Sequence, residues 1–150
     1  MEIKVDYKLR NVTLEECDLI FEWANDKTVR ENSFNSNELN YDEHVSWFSN
    51  KLASNDSYFY IFEANNKKVG MIRLENNESN SFIINYSISR EHRGQGYATA
   101  LLKLIKDRYI NCLLIGKVKS CNIASIKAFI RAGYIMKEES EINVFYSQSQ

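Results

Sequence analysis

The chain has 150 residues, 44% of them hydrophobic, with 19 basic and 20 acidic side chains and a formal net charge of −1. That length suits one domain, residues 1–150, able to bury about 70% of its unfolded surface, and the near-neutral balance argues against nucleic-acid binding through a general electrostatic field. No run approaches the roughly 20 apolar residues needed to span a membrane, and the alternating start MEIKVDYKLR lacks the apolar core of an export signal.

Cys17, Cys112 and Cys121 are odd in number and form no C-x-x-C pair, which argues against a disulfide framework and a zinc site. A reducing, cytoplasmic setting is expected, with no metal. Proline is absent while Asn and Lys abound. That bias fits an AT-rich bacterial genome and carries no functional weight.

Glu2–Arg10 reads as a first strand with Ile3, Val5, Tyr7 and Leu9 on one face. Thr13-Leu-Glu-Glu16 is a capping-box pattern, and Cys17, Ile20, Phe21 and Ala24 follow at helical spacing. Asn40-Tyr-Asp-Glu43 starts a second helix whose expected buried stripe is Val45, Phe48 and Leu52. Tyr58–Ala64 and Val69–Leu74 are β-rich runs joined by the turn Asn65–Lys68. A polar turn, Asn76–Asn80, leads into the strand Phe82–Ile88.

Ser89–Ala98, SREHRGQGYA, then connects that strand to an apolar-periodic helix, Tyr97–Ile110. Arg93, Gly96 and Ala98 fall on an R-x-x-G-x-A spacing. Glycine frees the backbone for such a turn, and a helix start presents unsatisfied N–H groups and a positive dipole end. The combination binds phosphate or pyrophosphate. A Walker A loop is excluded because no Lys-Ser or Lys-Thr follows the glycines, and the dinucleotide fingerprint because Thr99 stands where its third glycine belongs. Beyond the helix come a short strand, Cys112–Val118, a helix, Ala124–Ala132, with Gly133 as its stop, and two β-like segments, Tyr134–Glu138 and Ile142–Ser147. The order is βααβββαβαββ.

The R-x-x-G-x-A turn between strand and helix resembles the pyrophosphate loop of the GNAT acetyltransferase superfamily. The later block Asn122–Tyr134, NIASIKAFIRAGY, is similar to the family element in which an Asn opens a helix ending in Gly-Phe or Gly-Tyr. The resemblance covers nearly the whole chain. It implies an α/β (α+β) fold, with a central mixed twisted sheet of about seven strands and helices on both faces. It also implies acetyl-CoA as co-substrate, bound through Tyr86, Ile88, Arg93, Gly94, Gln95, Gly96, Tyr97, Ala98, Asn122 and Phe129.

In the family the strand before the glycine turn splays from its neighbour, so Tyr86–Ser89 would pair with the pantetheine arm and the Ile88 N–H would donate to the thioester oxygen. Asn122 is by default a helix cap and by resemblance also a cofactor contact. Many members place a general-acid Tyr seven residues after this Asn, where this chain has Phe129. The acid is therefore unassigned: the thiolate leaves without strong assistance, or water, Ser125 or a Tyr elsewhere assists it.

For the acceptor amine, His44 is a candidate base or ligand. Trp23, Arg30, Phe34, His44 and Trp47 compose an aromatic and polar set suited to stacking a nucleotide, although Phe21 and Phe48 read as core. The pattern W-x-N…VR…(N/S)-F…EH…WF is similar to amino-sugar nucleotide N-acetyltransferases of the pseudaminic-acid type. It also overlaps the ribosomal-protein N-terminal acetyltransferases, and Phe129 keeps a non-catalytic acyl-CoA-binding module open. The expected partner is a small-molecule amine, not nucleic acid or membrane, and the expected assembly a monomer or homodimer.

Overall fold

The computed structural model describes residues 4–149. The chain runs β1 (Tyr7–Asn11), a 3₁₀ turn (Leu14–Glu16), α1 (Cys17–Ala24), α2 (Lys27–Asn32), α3 (Tyr41–Ala53), β2 (Ser57–Ala64), β3 (Lys67–Asn76), β4 (Ser81–Ile88), a second 3₁₀ turn (Arg90–His92), α4 (Tyr97–Arg108), β5 (Leu113–Lys119), α5 (Ile123–Arg131), β6 (Ile135–Glu139) and β7 (Ile142–Tyr146). One seven-stranded sheet has the order β1-β2-β3-β4-β5-β7-β6. All neighbours pair antiparallel except β4 and β5, which are parallel and joined by the α4 crossover. The expected mixed sheet is present.

Residues alternate between two apolar layers because a strand turns successive side chains to opposite faces. Phe62, Ile72, Leu74, Ile84 and Ile88 pack with Leu101, Leu102 and Ile105 of α4 and Ala128 and Phe129 of α5. On the other face Phe59, Ile61 and Met71 pack with Ile20 and Trp23 of α1 and Phe48 of α3.

Local departures from the expected elements have physical causes. Among the described residues the first strand begins at Tyr7, which pairs with Ala64, the last residue of β2; Asp6 before it meets only the turn, its carbonyl accepting from the Asn65 N–H at 2.9 Å, and Glu2 lies outside the described residues. Val5 is exposed, and Ile3 lies outside the described residues. The hairpin turn is only Asn65-Asn66, at φ 50° and 68°. Two consecutive positive φ values make the tight turn that matches strand twist, and Asn tolerates them. Lys67 and Lys68 therefore belong to β3. Helix α2 was not expected, since six residues are too few to show a period. It is capped by Asp26, whose carboxylate accepts from the Val29 N–H at 3.2 Å.

The capping box at Thr13 is present: the Glu16 carboxylate accepts from the Thr13 N–H at 2.9 Å. Burial alone would raise the Glu16 pKa, but hydrogen bonds from Arg10, Thr13 and Lys68 win and hold it well below the usual carboxylate range, at about 2. In α3 the buried residues are His44 and Phe48, with Val45 and Leu52 only half-buried, so the buried stripe is shifted by one residue at its start.

Phe129 lies at the junction of several elements. It is 1% exposed, stacks on Phe145 of β7 at 4.8 Å and meets Tyr134 and Tyr86 edge-on at 5.0 and 5.9 Å. A Cβ built on Gly116 of β5 would stand 2.3 Å from the Phe129 Cζ atom. Gly116 thus makes the space that this ring fills. Gly116→Ala is expected to overpack the junction and destabilise the fold by about 1–3 kcal/mol. Adding Phe129→Leu should recover part of the loss; thermal unfolding of the two variants tests this.

Candidate acyl-transfer site

The site begins where the parallel strands part. β4 and β5 pair only at Ser81 with Leu113, Phe82 with Leu114 and Ile83 with Ile115, although β4 continues to Ile88 and β5 to Lys119. The far half of β4 is therefore open on its β5 side. Its direction can be read from β3: Ser89 N–H donates to Val69 O at 2.8 Å, while Ile88 stands opposite Gly70. Ile88 and Gly70 are then a non-hydrogen-bonded pair, so the Ile88 N–H and C=O point away from β3 and into the opening. The Ile88 carbonyl accepts from Arg93 Nε at 3.2 Å.

The glycine turn closes one end. Gly94 and Gly96 sit at φ +76° and +81°, and a Cβ on either would meet nothing within 4 Å. The glycines are thus required by backbone conformation rather than by crowding. Gly96 is the N-cap of α4, and the first helical bond is Ala100 N–H to Gly96 O at 3.1 Å. The N–H groups of Tyr97, Ala98 and Thr99 precede it and have no acceptor within the helix.

Arg93 does not extend freely into this loop. Its Nη2 donates to Asp26 Oδ2 at 2.9 Å, tying the turn to the start of α2. Gln95 is exposed and bonds the Glu91 carbonyl at 3.4 Å. His92 Nδ1 bonds the Ser89 hydroxyl, and its ring meets that of Tyr97 edge-on.

Asn122 caps α5 as expected, its Oδ1 accepting from the Ser125 N–H at 3.3 Å. Ser125 Oγ is 2.7 Å from the Tyr86 hydroxyl. Burial pushes the Tyr86 pKa up to about 12, the Ser125 bond opposing it, so Tyr86 stays protonated at neutral pH. Phe129 is not at the site surface. Its enclosure by Gly116, Phe145 and Tyr134 leaves the ring 1% exposed, which corrects its reading as a cofactor contact.

The residues expected to hold the acceptor do not converge. His44 is buried between helices, with its Nε2–H donating to the Cys17 carbonyl at 2.9 Å and its ring near Phe21, Trp47 and Phe48. A carbonyl only accepts, so this bond fixes the proton on Nε2. Arg30 spends its guanidinium on neighbouring backbone, donating to the carbonyls of Ala24 at the end of α1 at 2.7 Å and of Asn35 in the following loop at 3.1 Å. Phe34 is 61% exposed. Trp47 is half-buried and carries the Arg73 guanidinium 4.9 Å above its ring. Of the set, only Trp23 lines a cavity beside the glycine turn, of about 330 Å³, with Glu22, Asp26, Lys27, Ser89, Arg90, Glu91 and Arg93. Sequence reasoning missed Glu22 and Glu91.

This geometry agrees with the comparisons. The family profile for the Acetyltransferase (GNAT) domain matches residues 7–135. The chain belongs to that family. A relative from Methanocaldococcus jannaschii, an uncharacterized N-acetyltransferase, is 31% identical over 80 residues; the match spans 51% of this chain and 51% of that protein. The chain therefore matches about half the length of that curated relative. Among solved structures, the fold is shared with three acetyltransferases of known ligand. Spermidine N-acetyltransferase from Vibrio cholerae, in complex with CoA and spermine, has a TM-score of 0.80 at 17% identity, covering 93% of this chain and 92% of that one. RimL, the ribosomal L7/L12 alpha-N-protein acetyltransferase in complex with coenzyme A, has 0.79 at 13%, covering 93% and 92%. The aminoglycoside acetyltransferase AAC(6')-Ib with coenzyme A and kanamycin has 0.78 at 15%, covering 94% and 93%.

Two outcomes follow from the site. Gly96→Val forces a β-branched residue to φ +81° and should weaken coenzyme A binding at least tenfold by calorimetry, whereas Gly96→Asn, which tolerates that region, should lose less. His44→Ala should lower thermal stability by about 2 kcal/mol through lost packing and the lost tie to Cys17, with the KM for acetyl-CoA little changed.

Proposed function

We propose that the chain is an N-acetyltransferase that moves an acetyl group from acetyl-CoA to a primary amine, with an amino-sugar nucleotide as the preferred acceptor. One observation carries the reading: the parting of β4 from β5 beside a helix start whose first N–H groups are unsatisfied. Acetyl-CoA, when bound, supplies an activated thioester. The residues present fit it, since the loop offers N–H donors for a pyrophosphate and the open strand offers backbone groups for an amide-bearing arm.

The N–H groups around Gly94–Ala98 would bind the pyrophosphate. Arg93 would hold the turn in shape through Asp26 and Ile88 rather than as a phosphate ligand. The backbone of Tyr86 would pair with the pantetheine arm, and the Ile88 N–H would donate to the thioester oxygen as charge develops on it. Asn122 holds the α5 start against this opening. Ser125 Oγ would donate its proton to the departing sulfur and be resupplied by the Tyr86 hydroxyl, the pair standing in for the family's Tyr.

The acceptor would enter from the cavity beside Trp23. Asp26 is engaged by Arg93, but Glu22 and Glu91 have no ion-pair partner among the described residues and would receive the amine's proton. His44 serves this site only by ordering α3 against α1. The cavity carries carboxylates and cations together, which suits an acceptor with both amine and anionic groups better than a basic peptide. The unpaired Cys17, Cys112 and Cys121 are in keeping with a reducing, cytoplasmic setting.

Turnover of acetyl-CoA against a panel of amino-sugar nucleotides, polyamines and N-terminal peptides tests the activity and separates an enzyme from a binding module. Ser125→Ala and Tyr86→Phe should each lower kcat by about 10- to 100-fold. Acetyl-CoA affinity should stay within about threefold, and a fall in affinity with unchanged kcat would reassign the pair to cofactor binding.

A further inference from the structure

Helix α2 is held in place by polar ties. None of its side chains is buried, so no apolar core fixes it, and an element of this kind opens locally at little cost. Within the segment Arg30 donates to the Ala24 carbonyl at 2.7 Å and the Asn35 carbonyl at 3.1 Å, which binds the helix to the chain on both sides and makes it one piece. Two further ties reach the sheet and the glycine turn. At the start of the helix Asp26 accepts from Arg93 Nη2 at 2.9 Å, and Arg93 Nε in turn donates to the Ile88 carbonyl at 3.2 Å. At its end the Glu31 carbonyl accepts from Lys119 Nζ at 3.2 Å.

These two ties fall on opposite sides of the opening. Ile88 ends β4 and Lys119 ends β5. The register that pairs Ile83 with Ile115 would set Ile88 level with Ser120, one residue past Lys119. Helix α2 therefore bridges the parted strands at the level of the Ile88 N–H. Its length suits the span, since the rise from Asp26 to Glu31 is about 8 Å, more than the roughly 5 Å between bonded strands. It follows α1 directly, and α1 covers the face of the sheet opposite α4 and α5.

We propose that Asp26 and Lys119 are positioning residues that latch α2 across the opening as its roof, and that coenzyme A in the glycine turn, by ordering Arg93, tightens the first latch. This rests on the acetyltransferase reading and deepens it. The roof fixes the width of a gap that has no ladder bonds, keeps water from the thioester, and leaves the cavity beside Trp23 as the acceptor's way in. The coupling is reciprocal, so a variant that frees α2 also binds coenzyme A more weakly.

Hydrogen exchange on the whole chain, with and without saturating coenzyme A, tests the latches at the Arg30 and Ser33 amides, which bond the Asp26 and Arg30 carbonyls. In the wild type coenzyme A is expected to slow their exchange about fivefold or more, and Asp26→Asn, which can still cap α2, should lose most of that slowing. Without ligand, Lys119→Met keeps the stem but removes the donor and should speed the exchange about fivefold, whereas Lys119→Arg restores a donor and should stay within about twofold of the wild type. Amides of β3 and α4 should exchange alike in all variants, which separates loss of a latch from loss of the fold. Thiol release from acetyl-CoA with no amine present reads the roof itself. Water adds to the thioester carbon, the C–S bond breaks and the proton passes to sulfur, giving acetate and coenzyme A. That release should rise about threefold or more in Lys119→Met and not in Lys119→Arg. Exchange in α2 that ignores either coenzyme A or Lys119→Met, or equal thiol release in the wild type and Lys119→Met, would overturn the proposal. If coenzyme A itself fails to bind, the acetyltransferase reading fails, and ligand-free exchange in Lys119→Met still reports whether that latch holds α2.

Discussion

The separation of β4 from β5 is the constraint on which the rest of this structure depends. Paired strands satisfy each other's backbone groups, so opening a sheet costs hydrogen bonds unless something else holds the two halves in place. Here the halves are joined by three paired positions at one end and by packing beyond them. Phe129 is the center of that packing. It reaches Tyr86 on β4, Gly116 on β5 and Phe145 on β7 from a single helix. Burying a ring of this kind is worth about 2–3 kcal/mol, and its contacts fix the relation of strands that no longer bond each other. The absence of a side chain at Gly116 is as necessary as the presence of the ring.

Several polar ties then carry the shape of the opening to its surroundings. Arg93 joins the glycine turn to the end of β4 and to Asp26 at the start of α2. Tyr86 and Ser125 join β4 to the first turn of α5. His44 joins α3 to α1. Each tie uses a side chain that would otherwise be read as a ligand of the reaction. The proposed chemistry is left to backbone N–H groups, to the Tyr86–Ser125 pair, which is both a tie and a proton source, and to carboxylates at the cavity edge. Backbone donors suit a transfer site well because the fold fixes their direction before any ligand arrives.

The charge pattern of this face of the sheet follows from the same layering. The face of the sheet toward α1 and α3 is apolar under Ile20, Trp23 and Phe48. Beyond that cover the strands carry Arg73, Asn85 and Lys117 instead. A buried or half-buried cation is tolerated only when paired or stacked, and Arg73 has both Glu75 and two aromatic rings. Helix α3 supplies Trp47 for the stack and Lys51 for the second bond to Glu75, so one helix both covers the core and sets this charge.

The sequence by itself determined the order of elements apart from α2, the glycine turn and the cap at Asn122, because these rest on local rules. Positive φ at Gly94 and Gly96, a Thr-x-x-Glu box and 3.6-residue periodicity are properties of adjacent residues. The backbone role proposed for β4 came from the family resemblance rather than from any local rule. Only the tertiary structure decided which side chains face the opening. Phe129 and His44 occupy positions that motif spacing marks as functional, yet long-range packing with Gly116 and the Cys17 carbonyl turns both inward, while Arg30 is held by nearby backbone carbonyls on either side of α2. Glu22 and Glu91 carry no motif and line one cavity because helix packing brings distant segments together. Spacing along a chain fixes which face a residue occupies, but what stands opposite that face is set by contacts between elements far apart in sequence.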